Sequence, residues 1–431
     1  MAPSFWPIFS RISFRFAFIY FLLYFNPLEL LGQIPGVGML TQWLLSPLHS
    51  LVYWLNDHLF HVAPVLVPMG GSGDTSFGWA QQFTGLLLAG LGTVIWSGMD
   101  HRRKSYDTLH YWLCILLRYV LASIAFSYGF IKVLSMQMTF PNLSQLATPL
   151  GDYLPMRLSW MFIGYSTPYQ VFSGVAELLV ALLLIWRKTS LLGALVAVGV
   201  FANVVALNLS YDIPVKIYSI NLLVASLFLA WQEKERLWAF FVLNRPALPS
   251  GLYEKTFVGK AKIARIVGKT LFLLMSFGMT AFSYMQYYQS DLESRTRVLE
   301  PIQPGQYHVE LFVKNGDTLP ESLADTLRWR DVIFDYDGAG SVSTNDSSFR
   351  MRYGRAYFAY EPDSAGKTLE WRKSAWDSQL LVTFDLQLLP ENGMILQGKK
   401  GEDLLYLKLK KLNRHFPLSE RQFHWISEDN R

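Results

Sequence analysis

The sequence predicts an α-helical membrane bundle of about seven transmembrane helices followed by an all-β barrel domain. Three observations carry that expectation. The chain has 431 residues, is 51% hydrophobic and only 16% charged, and its mean hydropathy is +0.21; soluble domains carry about 25% charge. The charges are also unevenly spread: residues 1–287 hold 19 Lys/Arg and 11 Asp/Glu, whereas residues 288–431 hold 19 and 22. That is roughly 10% against 28%, which fits two solvents better than one. Finally, the last third alternates polar and apolar residues between turn signals, the period of strands. Such a composition excludes a soluble enzyme, a disordered chain and a disulfide scaffold. The net charge of +5 sits in short loops beside apolar runs, a topology signal rather than a nucleic-acid patch.

A spanning helix needs about 20 mostly apolar residues, because each backbone polar group must be satisfied within the segment. Seven runs qualify, at about 13–33, 78–97, 112–135, 169–186, 190–209, 215–232 and 268–286. The first follows Arg11 and Arg15 like a signal peptide. It is rich in Phe and Tyr and lacks a small-x-small cleavage site, so it is expected to be retained. Cation-poor and cation-rich loops alternate. Residues 34–77 hold no Lys or Arg, 136–168 only Arg157, and the fifth loop only Lys216. Between them come DHRRKS (100–105), the Arg187–Lys188 turn, and a 233–267 loop with Lys234, Arg236, Arg245, Lys255, Lys260, Lys262 and Arg265. The positive-inside rule then predicts a cytoplasmic N-terminus and a C-terminal domain outside the cytoplasm, which for a bacterial inner membrane is the periplasmic side. Within the first loop, Trp43, Leu44, Leu51, Trp54, Leu55, His58 and Leu59 approximate one helical face, so 43–61 should be an interfacial helix. His58 and His61 have no metal-ligand partner nearby except Asp57, and no metal is expected. GSGDT (71–75) lacks the Lys of a phosphate loop, and its Asp74 is expected to cap the second span.

Ionisable residues inside spans are costly and so mark candidate sites. Three stand out: Arg118 and Lys132 in the third span and Glu177 in the fourth. With a rise of about 1.5 Å per residue, the carboxylate falls between the two cations in depth, and Arg118 and Lys132 share a face to within about 40°. Asn203 in the fifth span and Asn221 in the sixth come out near the depth of Glu177. Gly129, Gly174, Ala176, Gly193, Gly199 and Ala202 would let the helices approach closely. Two readings stay open: a Lys–Glu–Arg network that holds four helices in register, and a ligand or proton-handling site.

The third to sixth spans resemble the DoxX-like family of four-helix membrane domains. The carrying residues are Arg118, GFIK (129–132), GVAE (174–177), the basic turn at Arg187 and ANVVALNLSYDIPVK (202–216). GSGDT, LNRPA (243–247) and FHW (423–425) extend the resemblance to a longer, Bacteroidetes-type form. The expected boundaries are 1–111 for an N-terminal transmembrane pair with its interfacial helix, 112–232 for the DoxX-like domain, 233–287 for the basic loop and last span, and 288–431 for the β-domain. The family takes its name from a subunit of a membrane thiosulfate:quinone oxidoreductase, so the resemblance implies quinone as the one cofactor to consider. The single cysteine, Cys114, excludes a thiol relay within the chain.

Strands are expected at 307–313, 327–336, 350–360, 367–372, 380–389, 393–398 and 404–412, separated by Asn315-Gly316, Asp337-Gly338, Ala365-Gly366, Asn392-Gly393 and Gly401. About eight short antiparallel strands suggest a small closed barrel, filled by side chains or enclosing one ligand. GQY (305–307) resembles the Gly-x-Trp opening of lipocalin-like barrels, with Tyr in place of Trp. DYDGAGS (335–341) should be a hairpin turn rather than a calcium loop. Trp371 and Trp376, beside Arg372 and Lys373, are expected at solvated strand ends. No HExxH, CxxC or paired-Cys zinc spacing occurs. The expectation is a non-catalytic membrane component that binds a lipophilic molecule or a membrane-complex partner, the alternative being a subunit of a quinone-linked oxidoreductase.

Overall fold

The computed structural model describes residues 6–26, 38–67, 73–321, 327–421 and 423–426. The chain divides into two compact units, Met1–Leu134 with Pro168–Tyr284, and Ser135–Thr167 with Met285–Arg431. The helices in chain order are α1 (Ile8–Tyr24), α2 (Gly38–Leu55), α3 (Ser76–Met99), α4 (Asp107–Val133), α5 (Leu143–Leu146), α6 (Pro155–Tyr165), α7 (Thr167–Ile185), α8 (Ser190–Ser210), α9 (Lys216–Trp231), α10 (Lys234–Phe241), α11 (Lys260–Ser294) and α12 (Pro417–Glu420). A π-turn, Leu274–Gly278, lies within α11.

Of these, α3, α4, α7, α8 and α11 are long and apolar enough to cross a membrane, and α9 is apolar but shorter, at 16 residues. The expected first span begins earlier than its apolar run, as α1 from Ile8, and places both Arg11 and Arg15 inside the helix. Its expected end, 27–33, lies outside the described residues. The 43–61 segment is helical as expected, with α2 passing into a π-turn at Asn56–Phe60. Trp43, Trp54 and Leu59 are exposed on it while Val52 and Leu55 are buried.

The core of the first unit joins α1, α4, α7, α8 and α9 through side chains such as Phe21, Leu117, Leu121, Val180, Leu184, Ala197 and Ala225. Other apolar side chains face outward: Val94, Ile95 and Phe172 are each more than half exposed. Two acidic or hydroxyl side chains fix helix starts. Thr75, not Asp74, caps α3 by accepting the Gly78 N–H at 3.1 Å. Asp74 instead caps α9, accepting from the backbone N–H groups of Lys216 (2.7 Å) and Ile217 (2.9 Å). Gly71 and Ser72 of the GSGDT run lie outside the described residues.

The second unit is a closed, all-antiparallel barrel. Eight strands surround it: β1 (Gly305–Lys314), β3 (Asp331–Phe334), β4 (Ala339–Val342), β6 (Arg355–Pro362), β7 (Thr368–Arg372), β8 (Leu380–Leu389), β9 (Gly393–Lys400) and β10 (Asp403–Lys411). Each pairs with the next, and β10 returns to β1 with Tyr307 opposite Lys411. Two short strands, β2 (Asp317–Thr318) and β5 (Arg350–Arg352), pair at the side of β1 and β6. Closure removes the unpaired edges that an open sheet would carry. The expected single strand 350–360 is a hairpin, because Tyr353 and Gly354 both take positive φ (50° and 68°) and turn β5 into β6. DYDGAGS does form the turn from β3 into β4, and β4 itself escaped the strand pattern because AGSV has little alternation.

Trp371 corrects another expectation. It is fully buried at the barrel centre, where Phe358 stacks on it at 3.7 Å between ring centroids and Trp329 at 5.5 Å. Trp376 is exposed. Phe312, Phe334, Phe349 and Phe384 complete an aromatic core, so large side chains occupy the interior.

Candidate functional site

The deepest charge pair of the helical unit is Lys132 with Glu177. Lys132 Nζ lies 2.5 Å from Glu177 Oε1, and both residues are less than one-tenth exposed. Glycines explain how two helices come close enough to make it. A Cβ on Gly129 would fall 2.7 Å from the Gly174 carbonyl oxygen, and one on Gly174 would fall 2.6 Å from that of Gly129. The backbones of α4 and α7 therefore touch, and each charged residue follows its glycine by three positions, on the same helix face. Glu177 Oε2 is buried without a hydrogen bond among the described residues. Gly193 makes a similar close approach to Leu183, whereas Gly199 has open space around it and Ala202 is exposed.

Arg118 does not join this pair. Its Nε and Nη2 donate to the Leu184 carbonyl at 3.0 and 2.8 Å, and Nη2 also reaches Ile185 O at 3.2 Å. The last carbonyls of a helix have no intrahelical donor, so the guanidinium closes the end of α7. Lys269 of α11 adds a longer bond to Ile185 O at 3.4 Å. The expected Lys–Glu–Arg network is thus a charge pair and a separate helix cap. Leu184 stands seven residues beyond Glu177, about 10 Å along the helix.

The two asparagines also part company. Asn203 is exposed on α8. Asn221 is buried, and accepts a hydrogen bond from the Tyr20 hydroxyl. Gln82 Nε2 donates to the same Tyr20 oxygen at 2.7 Å, and Asn221 Nδ2 donates to Ile217 O at 2.9 Å and to Gln82 Oε1 at 3.4 Å. Sequence reasoning missed Tyr20 and Gln82, since neither carries charge. Arg15, which the sequence marks only as a cation flanking the first apolar run, is buried and donates to Tyr106 Oη (2.9 Å), Ser97 Oγ (2.7 Å) and the Asp100 carbonyl (2.9 Å). Asn208 is buried too, and donates to Ser219 Oγ at 2.9 Å.

A cavity of about 900 Å³ opens among α1, α3, α4, α9 and α11. Tyr20, Gln82, Ser127, Tyr128, Tyr218 and Tyr284 contribute polar groups to its wall, between apolar side chains such as Leu88, Ile124 and Phe272. Arg118, Lys132, Glu177, Asn203 and Asn221 do not line it. Ser127 and Tyr284 hydrogen-bond at 3.0 Å, and Ser276 donates to Ser123 at 2.7 Å, which ties α11 to α4 beside the cavity. Phe126 and Phe277 stack at 4.3 Å in the same helix pair.

Outside the bundle, residues 135–167 belong with the barrel. Asp335 of the β3–β4 turn accepts the Ser144 N–H at 3.1 Å at the start of α5, and Ser341 donates to Ser144 Oγ at 2.9 Å. Arg355 donates to Ser341 Oγ at 2.8 Å and pairs with Asp331. Burial pushes the Asp335 carboxyl above its usual range, against the opposing pull of the Ser144 and Tyr336 backbone N–H groups. On the outer segment, His58 stacks on Trp54 at 4.7 Å and its Nδ1 lies 2.8 Å from Trp54 O. Among the described residues no cluster of three His, Cys, Asp or Glu side chains could hold a metal ion.

No protein-family model matches the chain, and no solved structure matches it. Over 84 residues, 20% of this chain, it is 36% identical to the Uncharacterized protein YwoB of Bacillus subtilis (strain 168). The match covers 54% of that protein, so the chain spans about half the length of the curated relative it resembles.

Proposed function

We propose that the chain is a DoxX-like integral protein of a bacterial cytoplasmic membrane that binds a lipophilic molecule and has no catalytic activity of its own. The cavity among α1, α3, α4, α9 and α11 is the observation that carries this reading. Its size suits a lipid-sized ligand, and its wall mixes apolar surface with a few hydroxyl and amide groups. Outward-facing Val94, Ile95 and Phe172 fit an apolar solvent. Loop charge supports a cytoplasmic N-terminus and a lipocalin-like barrel in the periplasm. Lys132 and Glu177 then act as a clamp between α4 and α7, where a partner complex would meet a rigid bundle.

A second reading, a subunit of a quinone-linked oxidoreductase, draws on the tyrosine hydroxyls of the cavity, which can donate to quinone carbonyls. Purification in a mild detergent, with analysis of bound quinone, other lipids and copurifying proteins, separates the two. Glu177→Gln should weaken the fold while leaving ligand content per folded molecule unchanged. Copurification of redox subunits together with bound quinone would favour the oxidoreductase. Absence of any bound lipophile or partner would remove both readings.

A further inference from the structure

The cavity wall narrows the chemistry of its occupant. Among the described residues it contains no Asp, Glu, Lys, Arg or His. Lys132 Nζ comes within 5.7 Å of the ring centroid of Tyr128, a wall residue, but that ammonium is already committed to Glu177. A charged head group entering such a wall would lose hydration without meeting a counter-charge. Polar groups are plentiful there, yet most satisfy one another. Tyr20, Gln82 and Asn221 bond among themselves, Ser127 pairs with Tyr284, and Ser276 with Ser123.

Tyr128 and Tyr218 differ. Both line the cavity, their ring centroids lie 6.4 Å apart, and their hydroxyls make no hydrogen bond to the described residues. A phenolic O–H without a protein partner in a mostly apolar wall is a donor available to an oxygen acceptor on a ligand. We propose that the cavity binds an uncharged amphipathic lipid whose polar end carries carbonyl oxygens, with Tyr128 and Tyr218 donating to those oxygens. Prenylquinones and acylglycerols share this chemistry. The inference rests on the lipid-binding reading of the same cavity.

The full chain in detergent micelles tests it by equilibrium binding of three probes: a short-chain prenylquinone, dioctanoylglycerol and oleate, which is anionic near neutral pH. Wild type should bind at least one neutral probe about tenfold or more tighter than oleate, and the tighter neutral probe identifies the source. Tyr128→Phe and Tyr218→Phe keep the rings and remove only the donors. Each should weaken the neutral probe by about threefold to tenfold, and the pair together by more, with the thermal unfolding transition retained. The single variants decide the matter where the double variant does not fold. Oleate binding as tightly as the neutral probes, or unchanged affinity in folded Tyr→Phe variants, overturns the inference and leaves the cavity a lipid site. Failure of folded wild type to bind any probe overturns the cavity reading as well.

Discussion

Lys132 and Glu177 meet three residues beyond Gly129 and Gly174, the glycines whose backbones touch where α4 crosses α7. The contact pairs Val133 with Gly174, Gly129 with Leu178 and Arg118 with Leu184, so the two helices run antiparallel. Neutralising one partner leaves the other charge buried alone. Glu177→Met or Lys132→Met should each cost about 3–5 kcal/mol, and Lys132→Met/Glu177→Met should recover most of the loss. Chemical unfolding of the four proteins in one detergent, treated as a double-mutant cycle, measures the coupling. Additive losses would show that the pair does not act as a clamp.

The glycine crossing makes a sharper steric claim. Gly129→Ala puts a methyl group against backbone on the facing helix and should destabilise by about 1–3 kcal/mol. Gly199→Ala, where nothing lies within 4 Å, should be neutral or slightly stabilising through helix propensity. Thermal unfolding of the two variants side by side provides the comparison, and equal effects would contradict the packing assigned to Gly129.

Asp335 gives the barrel unit a pH dependence of known sign. Its folded pKa is raised from 3.8, chiefly by burial, so the folded state holds its proton more tightly than the unfolded state does. The stability it contributes is full below the unfolded value and is lost as pH rises through the folded one. Asp335→Asn should remove that slope while an amide oxygen keeps the bond to Ser144. Unfolding midpoints measured from acid to neutral pH, wild type against variant, should converge at low pH and diverge above it. Parallel curves would mean that Asp335 does not titrate differently on folding.

Local signals in the chain announced much of this fold. Apolar runs located α3, α4, α7, α8 and α9, and alternation with turn residues located most barrel strands, because both patterns depend on neighbours in sequence. Depth along the helices put Glu177 between Lys132 and Arg118, and of these two cations the carboxylate meets only Lys132. What escaped depends on partners distant in sequence. Arg118 was placed with the carboxylate because charge is visible in a sequence, whereas the orphan carbonyls at Leu184 and Ile185 are not. Asp74 caps a helix that starts 142 residues later, and Ser144 reaches Asp335 across 191. Tyr20 and Gln82 carry no charge and drew no notice, yet they line the cavity.

A membrane-derived lipophilic molecule is proposed to occupy this cavity of the helical unit. Gly85 lines it, and a methyl group added there would meet no atom within 4 Å, so Gly85→Leu should fill space without disturbing neighbours and favour the helix. The direct measurement is the mass-spectrometric content of neutral lipid extracted from purified wild type and Gly85→Leu, each per mole of folded protein. Wild type should carry near-stoichiometric lipid, and a Gly85→Leu protein that unfolds at the same temperature or higher should have lost it. Equal lipid content in both proteins would contradict lipid occupancy of the cavity.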